Sequence, residues 1–249
     1  MKKIAFGMAI FVLNISAQAN VGKTLVIGDS LLEAGLGKRL AQATSQGGGE
    51  SCVLSVSGSS FKDWTDKQLR NKNGANIRHF VNGRTVSWEE KTLTEEDLDG
   101  LNVFTILKNP QKLSCGSQPF TSIVVELGAN SPATDDPVPY MQKIIDQAIG
   151  NHINPKNVRF ILPPGKKTYA NIAPKIRKSY MKNYGPEMYY DVNERAAKFL
   201  TKAKLPEPYD TSRKLRIPDK EFSDGVEHFY GSPSEKTWAN NLAIWLNSP

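Results

Sequence analysis

Short apolar runs alternate with amphipathic stretches along most of the chain. Residues 24–27 are β-branched and apolar and stop at Gly28-Asp29-Ser30; in residues 31–45 that follow, Leu31, Leu32, Leu36, Leu40 and Ala41 recur at near-helical spacing. The pattern predicts a strand, a tight turn and a helix. Residues 53–56 form a second predicted strand ending at Ser57-Gly58-Ser59, and residues 122–127 a third, ending at Gly128-Ala129-Asn130-Ser131. Met141, Ile144, Ile145 and Ile149 mark one face of a predicted helix over 140–149, with Gly150 closing it. Residues 158–162 are a fourth strand stopped by Pro163-Pro164-Gly165. Residues 193–201 have a helical pattern, the proline-containing connection 202–216 has room for a short fifth strand, and Trp238, Ala239, Leu242, Ala243 and Leu246 line one face of a terminal helix over 234–246.

Strands separated by helices imply right-handed crossovers and a mainly parallel sheet, of about five strands here, with helices on both faces. The stretch 61–120 is longer than one crossover helix requires. It carries Trp64, Trp88, the polar run Arg70-Asn71-Lys72-Asn73-Gly74 and the acidic run from Thr94 to Asp99. It is read as an insertion between strands two and three, either a wall beside a site or a solvated decoration. Residues 169–195, rich in Lys and Tyr, offer a basic, aromatic rim or a solvated helical cover.

The amino terminus differs from the rest. Lys2 and Lys3 precede an apolar run from Ile4 to Ile15 and then Ala17-Gln18-Ala19, the layout of a secretory signal cleaved after Ala19. The run falls short of the roughly 20 apolar residues of a spanning helix. The expectation is an exported chain, periplasmic or secreted, with no membrane span, whose residues 20–249 form one domain. Removing Lys2 and Lys3 from the 32 basic residues leaves 30 against 25 acidic, a mild excess of +5. No basic stripe, zinc-type spacing or phosphate-cradling loop occurs, which argues against nucleic acid, nucleotides and a metal cofactor. Cys52 and Cys115 are the two cysteines. Export makes a disulfide between them the expectation, with two separate buried thiols as the alternative.

In an open parallel sheet, ligands bind outside the carboxyl ends of the strands, near the point where strand order reverses. Ser30, Gly58 and Asn130 follow strands one, two and three, so the topology brings them to one edge. A serine hydroxyl needs a base to take its proton, and acyl transfer needs donors aimed at the oxyanion. Ser30 is the candidate nucleophile. Its backbone N–H, that of Gly58 and the side-chain amide of Asn130 are the candidate donors. Of the three histidines, His79 lies in the insertion and His152 before strand four, at the amino edge. His228, just ahead of the terminal helix, is the best candidate base, and Asp224 the carboxylate that orients it. Each residue also has a plainer role open to it: Asp29 and Ser30 as helix caps, Gly58 and Asn130 as turn residues, His228 as a surface histidine.

Gly28-Asp29-Ser30-Leu31, Gly58, Gly128-Ala129-Asn130 and Asp224 ahead of His228, in this order, resemble the blocks of the SGNH (GDSL-type) hydrolases. The resemblance implies a flavodoxin-like three-layer fold and metal-free hydrolysis of esters or thioesters. It also implies that Ser30 is the nucleophile, His228 the base, Asp224 its acid, and Ser30, Gly58 and Asn130 the oxyanion hole. Two positions depart from the pattern. Ser131 stands where the family has Asp, and three residues, Gly225, Val226 and Glu227, separate Asp224 from His228 where the family has two. The extra residue bulges out, or Glu227 takes the histidine's place, or His228 works with another acceptor. The expected substrate is an ester, with O-acetyl groups on a cell-wall or other polysaccharide ahead of acyl lipids. A non-catalytic glycan-binding module is the competing class.

Overall fold

β1 (Lys23–Gly28), β2 (Glu50–Val56), β5 (Ser122–Glu126), β6 (Val158–Leu162) and β7 (Tyr209–Asp210) pair in parallel; β3 (Ala75–Val81) and β4 (Arg84–Thr92) complete one sheet of order β4-β3-β2-β1-β5-β6-β7. The computed structural model describes residues 22–66, 69–70, 74–130, 136–164, 190–215, 217 and 231–247. The expected signal at 1–19 and the Lys- and Tyr-rich stretch up to residue 189 lie outside them. Counted among themselves, the parallel strands run second, first, third, fourth, fifth, the flavodoxin-like order.

The middles of the central strands are apolar because both faces are covered, with polar residues such as Lys23, Glu50 and Glu126 at their ends. Alternate residues point to opposite faces, so Leu25, Ile27, Leu54, Ile123, Val125, Phe160 and Leu162 belong to one core and Val26, Val53, Val124 and Ile161 to the other. The first core is closed by α2 (Phe61–Thr65), α4 (Val103–Lys108), α5 (Val138–Gly150) and α6 (Tyr190–Lys202), and the second by α1 (Ala34–Thr44) and α8 (Pro233–Leu246). Two single-turn helices, α3 (Glu95–Leu98) and α7 (Thr211–Lys214), lie between them in the chain. The terminal helix buries Trp238, Ala239 and Leu242 as its spacing predicts. On α5 the buried face runs through Met141, Ile144, Ile145 and Ala148, which leaves Ile149 47% exposed at the helix end rather than in the core.

The expected five parallel strands are present, and the insertion adds two more. β3 pairs antiparallel with β2 and β4 with β3. The two strands are joined by Asn82-Gly83, with φ of 51° and 72°, the backbone that a two-residue hairpin loop demands. The insertion therefore extends the sheet instead of decorating it. Trp64, in the insertion read as either a wall or a solvated decoration, is fully buried, and its indole N–H donates to Ser59 Oγ at 2.9 Å.

At the amino edge, Lys23 Nζ donates to Gly116 O at 3.0 Å and pairs with Glu50 at 3.3 Å, and Glu50 holds His79 Nε2 at 2.7 Å. Beside them Cys52 and Cys115 form a disulfide with Cα atoms 5.8 Å apart, which ties the end of the insertion to β2. The bridge closes a separation of 63 residues, worth about 4 kcal/mol in the chain-entropy account. Urea unfolding with and without reductant should differ by that order. Equal midpoints would show that the bridge contributes nothing.

Candidate active site

β1 ends at Gly28, where a side chain has no room: a Cβ there would lie 2.5 Å from Leu32 Cδ1 and 2.6 Å from the Glu126 carbonyl oxygen of β5. The chain then turns sharply. Asp29 Oδ1 accepts from Leu31 N at 3.0 Å, Leu32 N donates to Asp29 O at 3.1 Å, and Glu33 N donates to Ser30 O at 3.1 Å, which closes one 3-10 turn over Ser30–Leu32. The capping role open to both Asp29 and Ser30 thus falls to Asp29. Ser30 becomes the first residue of the turn, 8% exposed at the carboxyl edge, while Leu31 and Leu32 drive into the core beneath α1 and α8. Where the sequence predicts one helix over 31–45, the extended backbone of Glu33 (ψ 174°) separates the turn from α1.

The second loop is the turn from Val56 to Ser59, closed by Ser59 N donating to Val56 O at 3.1 Å. Gly58 holds φ of 76° in this turn, a conformation glycine adopts without steric cost, and it is exposed. Beneath it, Ser59 Oγ donates to Val56 O at 2.7 Å and receives the Trp64 indole. The insertion also grips both turns. Ser57 N donates to Gly74 O at 2.9 Å, and Arg78 Nη1 donates to Leu32 O at 3.1 Å.

The third loop leaves β5 through Leu127 and Gly128. A Cβ at Gly128 would lie 3.2 Å from Pro163 Cδ and 3.6 Å from Phe61 Cε2, so the loops after β2, β5 and β6 close on one another there. Half-buried Asn130 follows, and its side-chain nitrogen is buried with no hydrogen-bond partner among the described residues. A buried amide donor without an acceptor is costly, so the Asn130 nitrogen calls for an acceptor, which a ligand or an ordered water would supply.

Ser30, Gly58 and Asn130 thus follow three neighbouring strands at one edge, beside the β1/β5 crevice where strand order reverses. Gly28 pairs with both Ser55 and Glu126. With strands about 4.8 Å apart, the three loops start within about 10 Å of one another. Asp224, Glu227, His228 and Ser131 lie outside the described residues. The chain around that segment is anchored: Ile217 is buried in the α1/α8 core, and Gly231 N donates to Glu235 on the first turn of α8. A Cβ at Gly35 on α1 would lie 2.7 Å from Glu235 Oε1, so the amino ends of α1 and α8 adjoin. His79 and His152 sit at the amino edge, His79 engaged with Glu50 and His152 in the turn after α5.

Glu126 is a site-edge residue that motif reading passed over. It is fully buried at the carboxyl end of β5. Its signal is a lone carboxylate in the otherwise apolar run from Ile123 to Leu127. Among the described residues, no group of three or more His, Cys, Asp or Glu gathers as metal ligands, and no helix is long and apolar enough to cross a membrane.

No protein-family model and no curated protein matches the chain. Among solved structures it is similar to a DUF4886 family protein from Bacteroides uniformis ATCC 8492, with a TM-score of 0.52 and 14% identity over 90% of this chain and 82% of that one. At this identity the likeness is one of fold.

The tightness at Gly28 is directly testable. Gly28→Ala forces the Ser30 turn away from β5, and thermal unfolding should show a loss of about 1–3 kcal/mol, as for other overpacked sites. An unchanged midpoint would mean that the turn has slack.

Proposed function

We propose that the chain is an exported serine esterase that works through an acyl-enzyme on Ser30. The observation that carries the reading is the Asn130 amide nitrogen, buried without a partner among the described residues at the sheet edge that Ser30 and Gly58 share. In this mechanism His228 removes the Ser30 Oγ proton as the oxygen attacks the ester carbonyl carbon. The oxyanion accepts from Ser30 N–H, Gly58 N–H and the Asn130 amide. His228 then returns its proton to the departing alcohol, and water, activated the same way, releases the acid and restores Ser30. Asp224 orients the imidazole.

Chain length is compatible with this. His228 precedes Gly231 by three residues, about 10 Å of extended chain, and Gly231 is bonded to the Glu235 that adjoins Gly35, five residues beyond Ser30. The order of the Gly-Asp-Ser, Gly58, Gly-Ala-Asn and Asp224…His228 blocks supports an SGNH-type hydrolase. The amino-terminal signal pattern and the disulfide support export. The exported location favours O-acetyl groups on a cell-wall or other polysaccharide over acyl lipids, and the +5 charge of the mature chain suits an anionic surface of either kind. The three residues between Asp224 and His228 favour one second reading, a glycan-binding module on the same fold.

A fluorophosphonate probe separates the two. The wild type should be labelled at neutral pH and Ser30→Ala should not; equal labelling of both would overturn Ser30 as nucleophile, and no labelling of either would favour the binding module. On a short-chain aryl ester, Asn130→Ala should lower kcat by about 10²–10³. His228→Ala should remove turnover that His79→Ala and His152→Ala retain. Activity surviving in His228→Ala would move the base elsewhere.

A further inference from the structure

We propose that Glu33 is a positioning residue: its carboxylate, held by the Ser57 hydroxyl, sets the Ser30 turn and the Gly58 turn at the separation that a shared oxyanion requires. The inference rests on the serine-esterase reading. It starts from a mechanical difficulty. The β1–β2 ladder ends at Gly28 and Ser55, so the two turns that would supply neighbouring N–H donors project beyond the last backbone bond between their strands. Along the chain they are joined only through the whole of α1 and β2. Two donors must point at one oxygen within a few tenths of an ångström, and something at the level of the turns has to hold them.

Glu33 is placed to do so. Its backbone N–H closes the Ser30 turn by donating to Ser30 O at 3.1 Å, and its Oε1 accepts from Ser57 Oγ, one residue before Gly58. A Cβ at Gly74 would lie 3.5 Å from the same carboxylate oxygen, and Gly74 O accepts from Ser57 N. The carboxylate is thus enclosed between the start of β3 and the two turns.

A second observation is independent of this geometry. Glu33 is the N-cap of α1, yet its side chain makes no capping bond. Ser, Thr, Asp and Asn are the residues that cap, and a helix lacking one forgoes the stabilisation of that bond. The helix gives up that stabilisation, and the side chain at the position reaches across to Ser57 instead. A residue chosen for helix stability would be a short one. A longer side chain here makes sense if the cross-turn bond matters more than the cap.

The two roles predict opposite results for one substitution. Glu33→Ser supplies a good cap and removes the cross-turn bond. The thermal midpoint should hold or rise, while kcat on an aryl ester falls about 10- to 100-fold, the scale of a misplaced reacting group, with KM little changed. Ser57→Ala should give the same loss of kcat, and the double variant should be no worse than either single one, because both remove one interaction. Glu33→Gln keeps an acceptor at Oε1 and should retain kcat within a few fold. Wild-type kcat in Glu33→Ser or in Ser57→Ala would overturn the assignment, as would additive losses in the double variant or a fall in midpoint that tracks the fall in kcat. The fluorophosphonate probe is run alongside. If it labels Ser30 in the wild type while kcat is insensitive to Glu33, the positioning role alone fails. An unlabelled wild type overturns the esterase reading and this role with it.

Discussion

The in-register seating of β1 between β2 and β5 is the constraint on which the rest of the edge depends. Gly28 pairs with Ser55 on one side and Glu126 on the other, and Leu32 Cδ1 and the Glu126 carbonyl fill the space a side chain would take. Because the three strands end at the same level, the loops that leave them begin side by side. Their contents can then act on one ligand although they are distant in the chain. The same close approach forces the abrupt turn that places Ser30 at the edge and sends Leu31 and Leu32 into the core. The position of Ser30 and the packing of the core beneath it are two results of one local geometry.

The two edges of the sheet divide the work. At the amino edge Lys23, Glu50, His79 and the Cys52–Cys115 bridge hold the insertion against β2, and the polar groups there are occupied with one another. At the carboxyl edge an amide donor is left without a partner among the described residues. In open α/β sheets the carboxyl edge is the one at which ligands bind. The insertion serves both edges, since β3 carries His79 toward one and begins just after Gly74 beside the other. Arg78 on the same strand reaches the Leu32 carbonyl and ties the hairpin to the turn that follows β1.

Much of the fold is legible in local pattern. The parallel strands and the major helices follow from the apolar pattern, because burial on both faces leaves a short continuous run and burial on one stripe leaves a helical period. Asn82-Gly83 is likewise a local hairpin signal, weakened here because the flanking runs, with Arg78, His79 and Arg84, are too polar to read plainly as strands. Ile149 shows the limit of periodicity: it falls on the apolar stripe of α5, yet the helix ends there and leaves it exposed.

For the site, the sequence by itself determined which residue types end the strands, and the alternating pattern determined that Ser30, Gly58 and Asn130 share an edge. Only the tertiary structure decided that Asp29, rather than Ser30, caps the first turn. It also decided that Glu126 is buried, that the insertion joins the sheet, and that Glu33 meets Ser57 24 residues away while Arg78 meets Leu32 46 residues away. The reason is physical. Periodicity records whether a residue faces solvent or core, whereas the partner of a polar side chain depends on strand order and register, which are settled by packing across the whole sheet.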